Sequence, residues 1–331
     1  MQRRTLRLGG PEVSAIGLGC MPMSEFYGPA DEASCIRAVR RAVDLGVTLI
    51  DTAPSYGASR YGPAANEEIV ARALKGRRDR VLLATKVGFV KARGGWTVRN
   101  TPAFIRRSID ESLTRLKVDH VDIYYLHRRD PRVPLEDVID AMAGLVAAGK
   151  VRRLGLSEVG AETLRQAEKI HPIAVLQTEY SLLSRHIEDS VLPVARELGI
   201  GVVAYAPLGR ALLADGLTSL DGLAPTDLRR SQPRFQGGNL SHNLALVGRL
   251  RALAAEWGRT PAQLALAWLL SKGADIVPIP STRRVRHVEE NVAATRIALT
   301  AEQVASLEAA CDPSQVLGAR NSSAGMALME C

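Results

Sequence analysis

Cysteines, aromatic residues and long apolar runs are all scarce in this chain of 331 residues. The four cysteines, Cys20, Cys35, Cys311 and Cys331, stand apart without a C-x-x-C pair. That spacing excludes a zinc ribbon or a disulfide framework and reads as reduced thiols. Aromatics make up 4%, too few for the stacking platform of a single-strand nucleic-acid binder. No apolar stretch approaches the ~18 residues of a membrane helix, the longest candidate being residues 264–270. The first ten residues carry Arg3-Arg4 and reach Gly9-Gly10 without the apolar segment of a secretory signal. A cytoplasmic protein with neither a membrane nor a nucleic-acid partner is expected.

What is present is an ordinary globular balance, 46% apolar and 24% charged, with 43 Lys+Arg against 35 Asp+Glu and a formal charge of +8. Disorder or a low-complexity array would need a different composition. The basic excess comes as dispersed arginine doublets such as Arg40-Arg41 and Arg128-Arg129, the pattern of a solvated surface. It leaves room for a small anionic ligand.

Short β-branched or aliphatic runs alternate with longer stretches of helical periodicity. The pairs are residues 15–18 with 32–45, 48–51 with 67–74, 81–86 with 102–116, 121–126 with 135–148, 152–156 with 161–170, 174–177 with 187–198, 201–206 with 261–270, and 276–279 with 285–294. Eight such units, with strands apolar enough to be buried on both faces, predict an α/β protein, a closed (β/α)8 TIM barrel, read as one domain over residues 1–331. Residues 5–8 and 13–15 flank Gly9-Gly10-Pro11 and predict a hairpin that plugs the bottom of the barrel. The Gly- and Pro-rich segment 208–239 is too long for an ordinary connection and predicts a functional loop. A further helix is expected over 240–257, another over 301–310, and a loop-like tail after it.

Active sites of such barrels lie at the C-terminal ends of the strands. Asp51, Lys86 and His127 close the second, third and fourth predicted strands, and Tyr56 follows Asp51 by five residues. Singly, each has an ordinary structural role: an Asp caps turns, a Tyr keeps one end wet, a His packs in a core. Together at one rim they make an acid–base set. A Tyr phenol, normally near ~10, becomes a proton donor close to neutrality where a buried ammonium stabilises its phenolate. Lys86 suits that part, Asp51 compensates the Lys charge, and His127 is placed to hydrogen-bond a substrate oxygen. No metal cluster and no Ser/His/Asp or Cys/His set is apparent to supply a nucleophile, so a hydride donor fits.

These residues carry a resemblance. Gly17-Leu18-Gly19-Cys20-Met21, Asp51-Thr52-Ala53 with Tyr56-Gly57, Ala84-Thr85-Lys86, Asp122-Ile123-Tyr124-Tyr125-Leu126-His127, Gly149-Lys150-Val151-Arg152, Gly155-Leu156-Ser157, Ala204-Tyr205-Ala206-Pro207-Leu208-Gly209 and Glu289-Glu290-Asn291 occur in order over residues 17–310. In them the chain resembles the aldo-keto reductases, and the family's Asp, Tyr, Lys and His fall on Asp51, Tyr56, Lys86 and His127. The resemblance implies NADPH/NADP+ as cofactor, with NADH the weaker alternative, bound without the Gly-rich dinucleotide turn, which this sequence also lacks. It implies that Tyr205 stacks on the nicotinamide and that Ser157 and Gln177 hold the carboxamide. Glu158 stands where Asn is frequent. It further implies that Leu208, Gly209 and Arg210 close over the pyrophosphate and that Glu290 and Asn291 hold the adenine. Ser281, Thr282, Arg283 and Arg284 open a helix suited to a 2′-phosphate, with the two arginines not separable by sequence and His287 where many members carry Arg.

The expected activity is therefore NADPH-dependent reduction of an aldehyde or ketone. Tyr27, Trp96, Arg128 and the insertion 59–63 are rim candidates for the substrate pocket. Two alternatives stay open: a nicotinamide-sensing subunit with little turnover, and a Schiff-base lyase acting through Lys86.

Overall fold

The computed structural model describes residues 1–7, 9–24, 26–57, 65–92 and 95–330. The chain opens with a hairpin of β1 (Arg3–Thr5) and β2 (Glu12–Ser14). There follow β3 (Leu18–Gly19), α1 (Glu32–Asp44), β4 (Leu49–Asp51), α2 (Ala65–Leu74) and β5 (Leu82–Val87). A second hairpin, β6 (Phe89–Ala92) and β7 (Gly95–Val98), leads to α3 (Pro102–Leu116), β8 (Val121–Leu126), α4 (Leu135–Ala147), β9 (Val151–Ser157) and α5 (Ala161–Ile170). Next come β10 (Ile173–Glu179), α6 (Val191–Glu197), β11 (Gly201–Tyr205), α7 (Gly238–Glu256), α8 (Pro261–Ser271), β12 (Ile276–Pro278), α9 (Val285–Ala293), α10 (Ala301–Ala310) and α11 (Ser323–Met326).

The expected (β/α)8 barrel is what forms. β3, β4, β5 and β8 to β12 pair in that order, every pair parallel. The ring closes where Gly17 N–H donates to Pro278 O at 2.9 Å and Gly19 bridges Ser281. Helices lie outside because their apolar residues fall on one stripe. In α1 these are Cys35, Ala38, Val39, Ala42 and Val43, at the spacing that presents one face to the sheet.

Two core layers result. The outer one lies between strands and helices. The inner one fills the barrel with Leu49, Ala84, Ile123, Tyr125, Val175, Val203 and Val277. Leu6 and Val13 of the first hairpin belong to this inner layer, so the hairpin does plug the barrel. Its strands pair Arg3 with Ser14 and Thr5 with Glu12, earlier than the expected 5–8 and 13–15. Leu6 leaves the pairing to point into the barrel, and Arg7 bridges Ile200 instead.

The sequence reading missed β6 and β7, which carry Phe89 and Trp96 above the strand ends. The tail after α10 was expected to be loop and contains the short helix α11. Cys20, Cys35 and Cys311 are buried and unbridged, while Cys331 lies outside the described residues. Among the described residues no helix is long and apolar enough to cross a membrane.

Candidate active site

Asp51 ends β4, Lys86 lies one residue from the end of β5, and His127 follows β8. Parallel pairing brings these ends side by side, with Asp51 opposite Ala84 and Lys86 opposite Tyr125. Lys86 Nζ donates to Asp51 Oδ1 at 2.5 Å, to Thr52 O at 2.9 Å and to the Tyr56 hydroxyl at 3.2 Å. Lys86 is wholly buried and Asp51 nearly so. The Tyr56 and His127 rings meet edge to face, centroids 6.1 Å apart. The four residues singled out in the sequence thus share one site.

Their protonation states follow from burial and charge. Burial pushes the Tyr56 phenol up; the Lys86 cation opposes this, and Asp51 adds to the rise, so the phenol stays protonated at neutral pH. Burial works against the Lys86 ammonium, yet Asp51 and Tyr56 outweigh it and raise its pKa. Burial, then Arg128 and Lys86, hold His127 well below the usual imidazole value, and its ring is neutral. The expectation that Lys86 draws the tyrosine toward neutrality is therefore met in sign and outweighed in size by desolvation.

Beside this set, β9, β10 and β11 end in a row. Ser157 pairs in register with Gln177, and Glu179 with Tyr205. Gln177 Nε2 donates to Asp51 Oδ2 at 2.8 Å, which ties the expected carboxamide residue to the acid–base set. The Tyr205 hydroxyl is buried and has no hydrogen-bond partner among the described residues. Glu158 adopts a left-handed backbone, φ 55°, which turns its side chain back under the strand ends. There it accepts from Arg320 at 2.7 Å, from Glu179 N–H at 2.9 Å and from Thr178 Oγ1 at 3.3 Å. Its carboxylate is occupied by structure.

After β11 the backbone is left-handed at Ala206, Gly209, Arg210 and Ala211, a concentration of strain typical of a ligand-binding loop. Arg210 is nearly buried, 3.8 Å from Glu179 Oε2. Burial opposes its charge, and Tyr27, Glu179 and Tyr205 outweigh that cost. The loop is buckled to the segment after β3: Leu228 N–H donates to Phe26 O at 2.6 Å, and the Arg229 guanidinium lies over the Tyr27 ring. Leu208 is the residue before the first turn of this loop.

The start of α9 separates the two arginines that sequence left together. Arg283 donates to the carbonyls of Tyr27 at 3.2 Å and Pro29 at 2.5 Å, strapping the 27–29 segment down. Arg284 is the N-cap residue; its N–H donates to Thr282 Oγ1 at 3.1 Å and its side chain is exposed. Ser281 sits at the barrel closure beside Gly19. Burial and the neighbouring Arg286 hold His287 below its usual value, leaving it neutral. The Glu290 carboxylate accepts from Thr260 at 2.6 Å, and Asn291 is buried on the same helix.

The rim candidates divide. Trp96 stacks on Phe89, centroids 4.6 Å apart, and Phe89 meets the His127 ring edge-on at 5.4 Å. An apolar wall therefore stands over the histidine. Phe89 went unremarked in the sequence; its only signal was its place just after the lysine strand. Tyr27 belongs to the strap. The insertion 59–64 lies outside the described residues.

Comparison with known proteins gives a consistent picture. The description "Aldo/keto reductase family" matches residues 15–312. Among solved structures, a glycerol dehydrogenase from Gluconobacter oxydans is 28% identical, with 92% of this chain and 94% of that one covered and a TM-score of 0.80. An aldo-keto reductase from Bacillus halodurans, solved in its holo form, is 28% identical over 95% and 97% of the two chains, TM-score 0.77. An aldo/keto reductase from Klebsiella pneumoniae, solved with NADP and acetate, is 31% identical over 97% and 99%, TM-score 0.74.

Proposed function

Because the chain belongs to the aldo/keto reductase family, we propose that it reduces an aldehyde or ketone to the alcohol with NADPH, Tyr56 acting as the acid. The observation that carries this reading is the buried Lys86 ammonium, which touches Asp51 and Tyr56 at once. The residues fit the cofactor. Ser157, Gln177 and the Tyr205 ring form a row of strand ends for the nicotinamide. Gly209 and Arg210, with Leu208 before them, would close over the pyrophosphate. Thr282 and Arg284 at the start of α9 suit a 2′-phosphate, with Ser281 beside them, and Glu290 and Asn291 would hold the adenine. The Klebsiella relative's NADP complex supports the same choice.

When bound, the reduced nicotinamide supplies the hydride that reaches the carbonyl carbon. The chain's part is to hold and protonate the carbonyl oxygen. Neutral His127 offers that oxygen an N–H, and the Tyr56 hydroxyl gives up its proton as negative charge builds there. Lys86 stabilises the phenolate left behind, so the transfer is easier in the transition state than in the resting protein. Asp51 keeps the ammonium from being an unpaired buried charge. The Phe89–Trp96 wall excludes water from one side.

The lyase reading needs a neutral amine at Lys86, whereas its pKa is raised by Asp51 and Tyr56. The deciding experiment is Tyr56→Phe, expected to bind NADPH within about twofold of wild type and to lose about 10²–10⁴-fold in kcat. Near-wild-type turnover would remove Tyr56 from the role.

A further inference from the structure

We infer that Arg128 is a specificity residue of this site, which pairs with a carboxylate carried by the carbonyl substrate. The inference rests on the reductase reading above and adds the substrate class. Arg128 directly follows His127, and its Nη1 donates to His127 O at 2.5 Å and to Ser157 Oγ at 3.1 Å. These two bonds hold the guanidinium between the strand end that bears the histidine and the row that ends in Tyr205. Its charge is felt at the Tyr56 phenol, the His127 ring and the Tyr205 phenol. Among the described residues Nε and Nη2 have no partner, so one edge of the planar fork is open. That edge matches a carboxylate, which a guanidinium binds through two parallel bonds.

The other cations around the site each have a carboxylate within ion-pair distance. Lys86 has Asp51, and Arg320 has Glu158 at 2.7 Å. Glu179 lies between Arg210 at 3.8 Å and Arg234 at 3.7 Å, which leaves one cation in excess for the cofactor phosphates on the Arg210 side. Arg128 is half-buried, and among the described residues no carboxylate lies within ion-pair distance of it. Arg128 feels the Glu158 carboxylate, but that carboxylate is bonded to Arg320, so the Arg128 fork has no carboxylate of its own to bind and suits a ligand that supplies one.

The test compares 4-carboxybenzaldehyde with its neutral relative methyl 4-formylbenzoate, using the full chain and NADPH. Wild type is expected to favour the acid in kcat/KM. Arg128→Gln is expected to lower the acid-to-ester ratio by about tenfold or more, through KM of the acid rather than kcat, and Arg128→Lys to recover part of it. Benzoate titrated into the NADPH complex, followed by nucleotide fluorescence, is expected to bind about tenfold more weakly in Arg128→Gln. The inference is overturned if the ratio is unchanged. It is equally overturned if acid and ester lose alike while NADPH binding weakens, which would make Arg128 a cofactor residue. If wild type turns over neither aldehyde nor any other carbonyl, the reductase reading fails by itself. The benzoate titration then still decides whether Arg128 takes carboxylates.

Discussion

Arg320, in the tail beyond α10, donates to Glu158 at 2.7 Å, and both side chains are almost wholly buried. The pair fastens the C-terminal segment under the row of strand ends that includes Ser157. Burial alone would raise the Glu158 pKa; the Arg320 hydrogen bond, the Arg128 and Arg320 charges and the Glu179 N–H outweigh it and hold it at about 2. A carboxylate depressed in the fold contributes stability above its unfolded value of about 4.5, lost as pH falls toward about 2. Arg320→Leu strands the Glu158 charge and is expected to cost about 3–5 kcal/mol. Arg320→Leu with Glu158→Gln is expected to recover part of this. Urea unfolding at pH 7 and pH 3 checks both, and the single variant's disadvantage should shrink at the lower pH. Equal destabilisation at both pH values would mean that the pair does not act through charge.

His127 is held neutral by burial and by the Arg128 and Lys86 charges. A histidine with a lowered pKa in the fold opposes stability only where the unfolded chain takes up its proton. Its neutral form is therefore fully compatible with the fold above about 6.5, and stability falls as pH drops below that value. The expected outcome is a His127 ring resonance that does not titrate between pH 8 and 6 in NMR spectra. His127→Gln, which keeps an N–H donor, is expected to retain more kcat than His127→Phe. A ring that protonates near pH 6.5 would contradict the burial argument.

The barrel and its acid–base set were legible because they rest on strong local signals. Strands such as β10 are buried on both faces and open as apolar runs, here residues 173–176, and Asp51, Lys86 and His127 stand where such runs stop. The protonation states were not legible, since they depend on how much water the fold removes. Glu158 was opaque for another reason. Its left-handed backbone and its partner Arg320, far away in sequence, together turn it away from the site, and neither leaves a local trace. Phe89 and the β6–β7 pairing were hidden by brevity: two four-residue strands, the second starting at Gly95, resemble a loop until pairing stacks Phe89 on Trp96. Arg283 and Arg284 are adjacent and identical, so only their partners distinguish them.

That distinction gives a prediction about cofactor choice. Arg283 is committed to the Tyr27 and Pro29 carbonyls, whereas the Arg284 side chain is exposed at the start of α9. His287 is neutral and adds no charge there. Arg284→Ala is expected to weaken NADPH by about tenfold or more, the worth of a charge-assisted phosphate bond, and to leave NADH nearly unchanged. Arg283→Ala loosens the strap that both nucleotides share and is expected to weaken NADPH and NADH alike. Fluorescence titration of each variant with both nucleotides checks this, and a NADPH-selective loss in Arg283→Ala would reverse the assignment.

Gly201 opens β11 where the plug enters the barrel, and its N–H donates to Leu6 O. A Cβ at this position would lie 2.6 Å from both the Leu6 carbonyl carbon and its Cα. These are backbone atoms, so no side-chain rotation relieves the clash and the hairpin has to withdraw. Leu6 and Val13 would then leave the inner core layer. Gly201→Ala is expected to cost at least about 1–3 kcal/mol, the usual price of overpacking a rigid site. Gly144 in α4 is the contrast: nothing lies within 4 Å of an added Cβ there, and its backbone is not left-handed. Gly144→Ala is expected to stabilise by about 0.5–1 kcal/mol through the helix propensity gained. Thermal unfolding of the two variants against wild type should move Tm in opposite directions, and a neutral Gly201→Ala would show that the plug is not seated against β11.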